Sequence, residues 1–437
     1  MLEDPLSIDR QLAGIARSLR SFRVALREGR GDDHAFELTG QKASRELIET
    51  LADNAHDPLA PPLLRAAHRL HEAHVLAELE HQHSAAVRLE RHAVDEPERG
   101  RFTLATLRAN ALADTTGRRG AFLRVLTDRA SHASDLVLRR CERHAELRSS
   151  LARFVPADID LPGRDVLETA PAALAGTADA FRALGPRTLA EVIELGLGRD
   201  SRASWPGRLT ARSIADFFVE AAWLAHLTPE PFPVPPALGA ASFLRALYGF
   251  GVSLRTALAA SKQPFVLARD PYGLERATLG SLLALLPIKE SFARRHLGVA
   301  PTSLSDHRRS LARVLLVELR EAALRVSLRA PALSGGSTLL RAYPELGDQA
   351  LGVELHPSLL GVVFTPRSGD AQRFAALLIA ASLDQRLTEA HDEDWFRNPR
   401  AVEELRETAR APAPVVADKE ELERGAALLT NWLASAL

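Results

Sequence analysis

Apolar residues spaced three and four apart recur in segment after segment of this chain, and that periodicity limits it to a helical fold. Leu12, Ile15, Leu19 and Val24 fall on one side of a first helix that Ser7 is placed to cap. A second helix is expected over residues 42–52 and, after the proline-rich loop 57–62, a long third one over 62–93. A polar turn at 95–100 leads to a short helix at 104–112 and a long one at 117–154. Further helices are expected over 166–184, 189–195 and 211–225. Segment 229–236 is then an extended connector, because its prolines fix φ and lack donors. An apolar helix at 240–260 follows, then a short strand candidate at 264–269 and helices at 274–286, 289–297 and 305–328, the last capped by Ser305. The remaining helices are expected near Leu339, at 370–391, 400–410 and 419–436. The predicted fold class is all-α with at most a small β element. No repeat of solenoid period is present. Long helices with short breaks pack antiparallel to their neighbours. The segment 155–163, with Pro156, Pro162 and Gly163, reads as a lobe boundary. The expected division is an N-terminal helical lobe at 1–155, a connector region at 156–239 and a C-terminal lobe at 240–437.

Length and charge narrow the function classes. A chain of 437 residues, 46% of them hydrophobic, has room for two or three lobes. A formal net charge of -1 leaves no electrostatic footprint for nucleic acid or an anionic membrane surface. No uncharged apolar run reaches the roughly 18–20 residues of a membrane span. The start Met1-Leu2-Glu3-Asp4-Pro5 has neither a basic nor an apolar signal region, so a cytoplasmic location is expected. Lysine occurs only at Lys42, Lys262, Lys289 and Lys419, so nearly all positive charge is arginine. Beside abundant Ala, Leu and Pro, that reads as the imprint of a GC-rich genome rather than as arginine-specific recognition. The one cysteine, Cys141, excludes an internal disulfide and a cysteine-based zinc site. Arg139, Arg140 and Arg143 beside it are placed to lower its pKa, but no base accompanies it, and a buried or inert thiol is the favoured reading.

The stretch His391-Asp392-Glu393-Asp394-Trp395-Phe396-Arg397-Asn398-Pro399 resembles the C-terminal end of zinc oligopeptidases of the M3 type. Phe292-Ala293-Arg294-Arg295-His296-Leu297-Gly298 resembles the segment after that family's second metal-ligand helix. The resemblance covers about residues 60–410 and is strongest toward the C-terminus. It implies a two-lobed helical fold with a central cleft, and a His-Glu-x-Gly-His motif on a helix. In that motif two histidines at i and i+4 bind zinc, a glutamate activates the metal-bound water, and a later glutamate completes the site.

Aligned on 240–260, the family's motif falls on residues that cannot do this chemistry. Tyr248 stands at the first histidine, Gly249 at the general base, Gly251 at the motif glycine and Val252 at the second histidine. The later ligand falls at Ala277, while Glu275, two residues away, is turned about 200° off that face. The family's carbonyl-polarising tyrosines are replaced around 367–372. The resemblance thus implies a degenerate, catalytically inactive relative with no metal cofactor, whose 240–437 lobe is a remnant of the catalytic one. Leu244, Leu247, Gly251, Leu254 and Leu258 still form an apolar stripe, so the helix keeps its core role. Tyr248 and Arg255 flank it as candidate cleft residues for a peptide or a protein partner, an active paralogue among them.

Two other readings stay open. A hydrolase with a relocated metal site would draw on His226, Glu275, His296 or His307, none at ligand spacing. A metal-binding module would use the histidine-rich 68–83 helix, where His71, His74, Glu78 and His81 fall within about 80° of one another. A solvated face is the favoured account of that stripe, with Leu64, Val75 and Leu79 on a separate apolar side. The Ser334-Gly335-Gly336-Ser337 run reads as an interhelical turn, since it lacks the spacing and lysine of a phosphate loop.

Overall fold

The computed structural model describes residues 4–27, 43–88, 94–96, 100–113, 116–199, 205, 210–219, 223, 232, 234–235, 239–258, 263–268, 273–410 and 416–437. Among these the chain is helical from Pro5–Arg27 to Lys419–Ala436. Its β content is one antiparallel hairpin, Val94–Glu96 with Gly100–Phe102, which pairs Val94 with Phe102 and Glu96 with Gly100. The fold class is all-α. The connector expected at 229–236 lies largely outside the described residues, as does the start of the helix expected at 42.

Several expected helices are shorter than their apolar patterns. The one expected over 62–93 divides at Leu76 into Ala60–Val75 and Ala77–Arg88, and the one over 117–154 divides at Ala130 into Thr116–Arg129 and Ser131–Leu151. Neither break falls on glycine or proline. The first lets the two halves reach different apolar clusters. Leu63, Leu64, Ala67 and Leu70 join a smaller cluster with Ile8, Leu12, Ile15 and Leu19, while Val87 packs against the main core. The second does not: Leu126, Ala133 and Val137, on both sides of it, are in the main core, and Ser131–Leu151 itself runs on to the smaller cluster at Leu147 and Leu151. The clusters therefore do not follow the sequence division at 155, because Leu104–Cys141 side chains contribute to the core built around 240–437.

Residues expected as caps are replaced by neighbours. The first helix begins at Pro5 rather than beyond Ser7, with the Asp4 carboxylate accepting the Leu6 N–H at 3.1 Å. Ser305 lies inside Leu304–Ser327. The strand candidate at 264–269 is instead a short helix, Phe265–Ala268. Its conformation is imposed from afar. The buried Asp9 carboxylate accepts the Phe265 N–H at 2.7 Å and the Val266 N–H at 2.9 Å, capping the helix with a residue from the first element.

The central helix Ala240–Leu258 is almost wholly buried and lies antiparallel against Leu274–Leu285. The contact is backbone on backbone. A Cβ at Gly251 would stand 2.6 Å from the Leu279 carbonyl oxygen and 2.8 Å from Gly280 Cα. A Cβ at Gly280 would stand 2.9 Å from both the Tyr248 carbonyl oxygen and Val252 Cγ2. Small residues on both helices thus fix their separation and present Tyr248 to one side. Phe218 stacks on Phe250 at 4.8 Å, and Trp223 donates to the Phe396 carbonyl at 2.7 Å, tying the tryptophan-aromatic turn at 395–396 to this core.

Candidate functional site

The face of the central helix at the positions where the resemblance places the metal motif carries no metal ligand. Tyr248 and Val252 lie against Gly280, Gly249 carries no side chain, and Ala277 is buried. Burial pushes the Tyr248 hydroxyl pKa above the ordinary tyrosine range, even with the Arg373 guanidinium 5.2 Å over its ring. Arg373 comes from the helix Asp370–His391 and is paired with Glu318 of Leu304–Ser327. Its side chain is 43% exposed, so this corner is an open recess, not a sealed core. The residues at the motif positions do not fit a zinc ion: phenol, glycine, valine and alanine supply neither imidazole nor carboxylate.

Arg255 does not line that recess. It is buried and ion-paired with Glu275. Antiparallel packing explains this: one turn beyond the Gly251–Gly280 contact, position 255 meets position 275. The same pair uses up Glu275 as a relocated ligand.

The other relocated-ligand candidates are scattered. His307 is buried, its Nε2 3.2 Å from the Pro287 carbonyl and its ring stacked on Trp205 at 5.1 Å. His296 packs among Phe292 and Phe396 at 5.0 and 5.7 Å. His226 lies outside the described residues.

On the histidine-rich helices, the break at Leu76 divides His71 and His74 from Glu78 and His81. His71 is half-buried and its Nδ1 lies 2.9 Å from the Ala43 carbonyl; burial, partly offset by that bond, lowers its pKa. His83, which burial also keeps below the ordinary histidine range, lies 2.7 Å from the Gly361 carbonyl. Among the described residues, one group of His, Cys, Asp or Glu brings at least three ligand atoms within 4.8 Å of one another: His68, Glu72 and Asp160. None of these three is among the ligands expected from sequence, His71, His74, Glu78 and His81: Asp160 comes from the boundary segment, and His68 is buried. His144 Nε2 lies 3.4 Å from Glu72 as well. The surroundings oppose a cation. Arg148 stands 3.4 Å from Asp160, Arg69 and Arg329 each 3.8 Å, and His68 3.7 Å. Burial alone would raise the Asp160 pKa, but His68 and the guanidiniums outweigh it and hold the carboxyl well below the usual range. A divalent ion there would meet more positive than negative charge.

A second group of arginines, which the sequence reading set aside as genomic composition, gathers beside the Tyr248 recess. Arg325 donates to the Thr365 carbonyl at 3.3 Å and lies 5.4 Å over the Phe364 ring. Arg140, from Ser131–Leu151, donates to the Pro366 carbonyl at 3.2 Å. Arg367 follows directly and is exposed, its backbone N–H bonded to Asp370 at 2.8 Å. Burial, then the nearby charges of Arg367 and Arg325, bring the Arg108 pKa down to about 10. Cys141 is buried, as the favoured reading expects, and burial pushes its thiol pKa up, outweighing the lowering by Arg140.

No family model matches the chain, and no curated protein does. A similar solved structure is the M32 carboxypeptidase from Deinococcus radiodurans R1, 17% identical, with a TM-score of 0.43 over 90% of this chain and 88% of that one. That protein is named for the M32 group, not for M3. No described helix is long and apolar enough to cross a membrane.

Proposed function

We propose that the chain is a catalytically inactive relative of helical zinc peptidases, of the M3 type that its C-terminal stretch resembles, and that its recess beside the central helix binds a peptide or a protein partner. The observation that supports this is the Tyr248–Arg373–Glu318 corner: polar, reachable by solvent, and beside the motif positions 248, 249, 252 and 277, none of which carries an imidazole or a carboxylate, while its own carboxylate, Glu318, is held in the ion pair with Arg373. A site retained for chemistry keeps its ligands; a site retained for binding keeps its shape and polar rim.

Untagged protein exposed to zinc and then desalted is expected to hold no stoichiometric zinc by elemental mass spectrometry, and to leave unstructured peptides uncut. A metal-binding module remains the second reading, because His68, Glu72 and Asp160 do converge. Tightly held zinc that His68→Ala removes would establish that reading and overturn the first. Zinc held despite that change, with peptide cleavage, would mean a relocated catalytic site.

A further inference from the structure

The arginines around segment 363–370 stand close together and are held by backbone carbonyls rather than by ion-paired carboxylates among the described residues. Arg140 and Arg325 converge on consecutive carbonyls, Pro366 and Thr365, and Arg367 is the next residue. Among the described residues none of Arg108, Arg325 and Arg367 has a carboxylate within ion-pair distance. The nearby acids are engaged or deep. Glu318 is taken by Arg373, Asp370 accepts the Arg367 N–H, and burial raises the Glu321 pKa in spite of Arg325 and Arg245. Among the described residues these guanidiniums outnumber the carboxylates beside them, and Arg367 is exposed to solvent, in a chain whose overall charge is -1.

The segment that gathers them is pinned. Phe364 holds φ 49°, a left-handed conformation that costs a side-chain-bearing residue about 1 kcal/mol or more. It is kept there by Tyr343, which donates to the Val363 carbonyl at 2.8 Å, and by Thr365, which donates to the Leu360 carbonyl at 2.6 Å. A strained loop held from two sides presents its arginines without further ordering on binding.

We propose that Arg108, Arg325 and Arg367, continuing to Arg373 beside Tyr248, form the binding site for an acidic peptide segment, its carboxylates meeting the guanidiniums in succession. The arginines come from separate elements, Leu104–Ala113, Leu304–Ser327, the 364–369 loop and Asp370–His391, so they suit an extended chain of carboxylates better than a single small anion. This inference rests on the peptide-binding reading and names its ligand class.

The test is calorimetric titration of the full chain with three probes: octaglutamate, an uncharged glycine–serine peptide of equal length, and inorganic phosphate. Arg108→Gln and Arg367→Gln are titrated beside it, with thermal melts confirming that each is folded. Octaglutamate is expected to bind, each variant to weaken it on the order of tenfold, and added salt to weaken it further. Octaglutamate binding that neither folded variant changes would overturn the site. Equal binding of the uncharged peptide would overturn the acidic ligand class while leaving the peptide-binding reading standing. Phosphate bound with no peptide bound would overturn both, and so would no binding at all.

Discussion

Asp160 shows how far one residue's role can lie from its place in the sequence. Read along the chain it belongs to a polar, proline-bounded linker; in the fold it is buried and meets His68, Arg69, Arg148 and Arg329, from three separate helices. No local pattern announces this, because every partner is distant or, like His68, one of several histidines on its helix that the sequence does not tell apart. Its carboxyl is held below the unfolded value, so its contribution to stability is present above about pH 4 and is lost as the pH falls below that. Asp160→Asn is expected to cost about 3–5 kcal/mol at neutral pH, since it leaves the buried guanidiniums without a counter-charge. It should also flatten the acid limb of the stability profile between about pH 4 and pH 2. Denaturant unfolding across pH checks both. A variant as stable as the parent at pH 7 would mean that water already solvates those arginines.

At the scale of elements, the helices themselves were legible and their limits were not. The 3.6-residue period named the central helix, its neighbour at 274–286 and the long helices toward the C-terminus. The break at Leu76 and the helix at Phe265–Ala268 were not, because tertiary contacts decide them: two apolar clusters pull the 62–93 pattern apart, and Asp9 caps a helix from 256 residues away; nor was the break at Ala130, which no glycine or proline marks. The candidate site was half legible. The absence of ligands at 248, 249, 252 and 277 is a fact of sequence, but the pairing of Arg255 with Glu275 and the gathering of Arg108, Arg325 and Arg367 require the packing. Arginine also serves the frame. Buried Arg320 donates to the Leu174 carbonyl at 2.8 Å and the Gln349 carbonyl at 3.0 Å, closing two helix ends, with its guanidinium 4.7 Å over Phe181. The central helix and its antiparallel neighbour make a sharper prediction. Gly280→Ala places a methyl 2.9 Å from the Tyr248 carbonyl and Val252 Cγ2, inside contact distance of backbone that cannot swing away. A loss of about 1–3 kcal/mol is expected, with Tyr248 displaced from Arg373. Gly14→Ala, where nothing lies within 4 Å, is the control and should be neutral or slightly stabilising. If both changes cost the same, backbone contact is not what sets the separation of the central helix.

For the whole molecule, the decisive feature is that the smaller apolar cluster is assembled from three distant stretches. Its members are Ile8 to Ala73, Leu147 to Ile159, and Val266. Only the last of these joins it directly to the chain that leaves the central helix, and Asp9 is what holds that piece in a docked helical turn. The cluster is also joined to the main core by the helix Ser131–Leu151 and by the Asp160–Arg329 pair, so loosening the docked turn is expected to open its 8–26 and 265–268 side locally. Asp9→Ala removes two charge-assisted bonds and leaves buried N–H groups unpaired, a cost of about 2–4 kcal/mol borne by this cluster alone. Hydrogen exchange followed by mass spectrometry reads it out. Peptides covering 8–26 and 265–268 are expected to exchange faster together in Asp9→Ala, while those covering 240–258 and 370–391 keep the parent's protection. Uniform acceleration across the chain would instead mean that the two clusters unfold as one, and the molecule would have to be treated as a single cooperative unit despite its divided core.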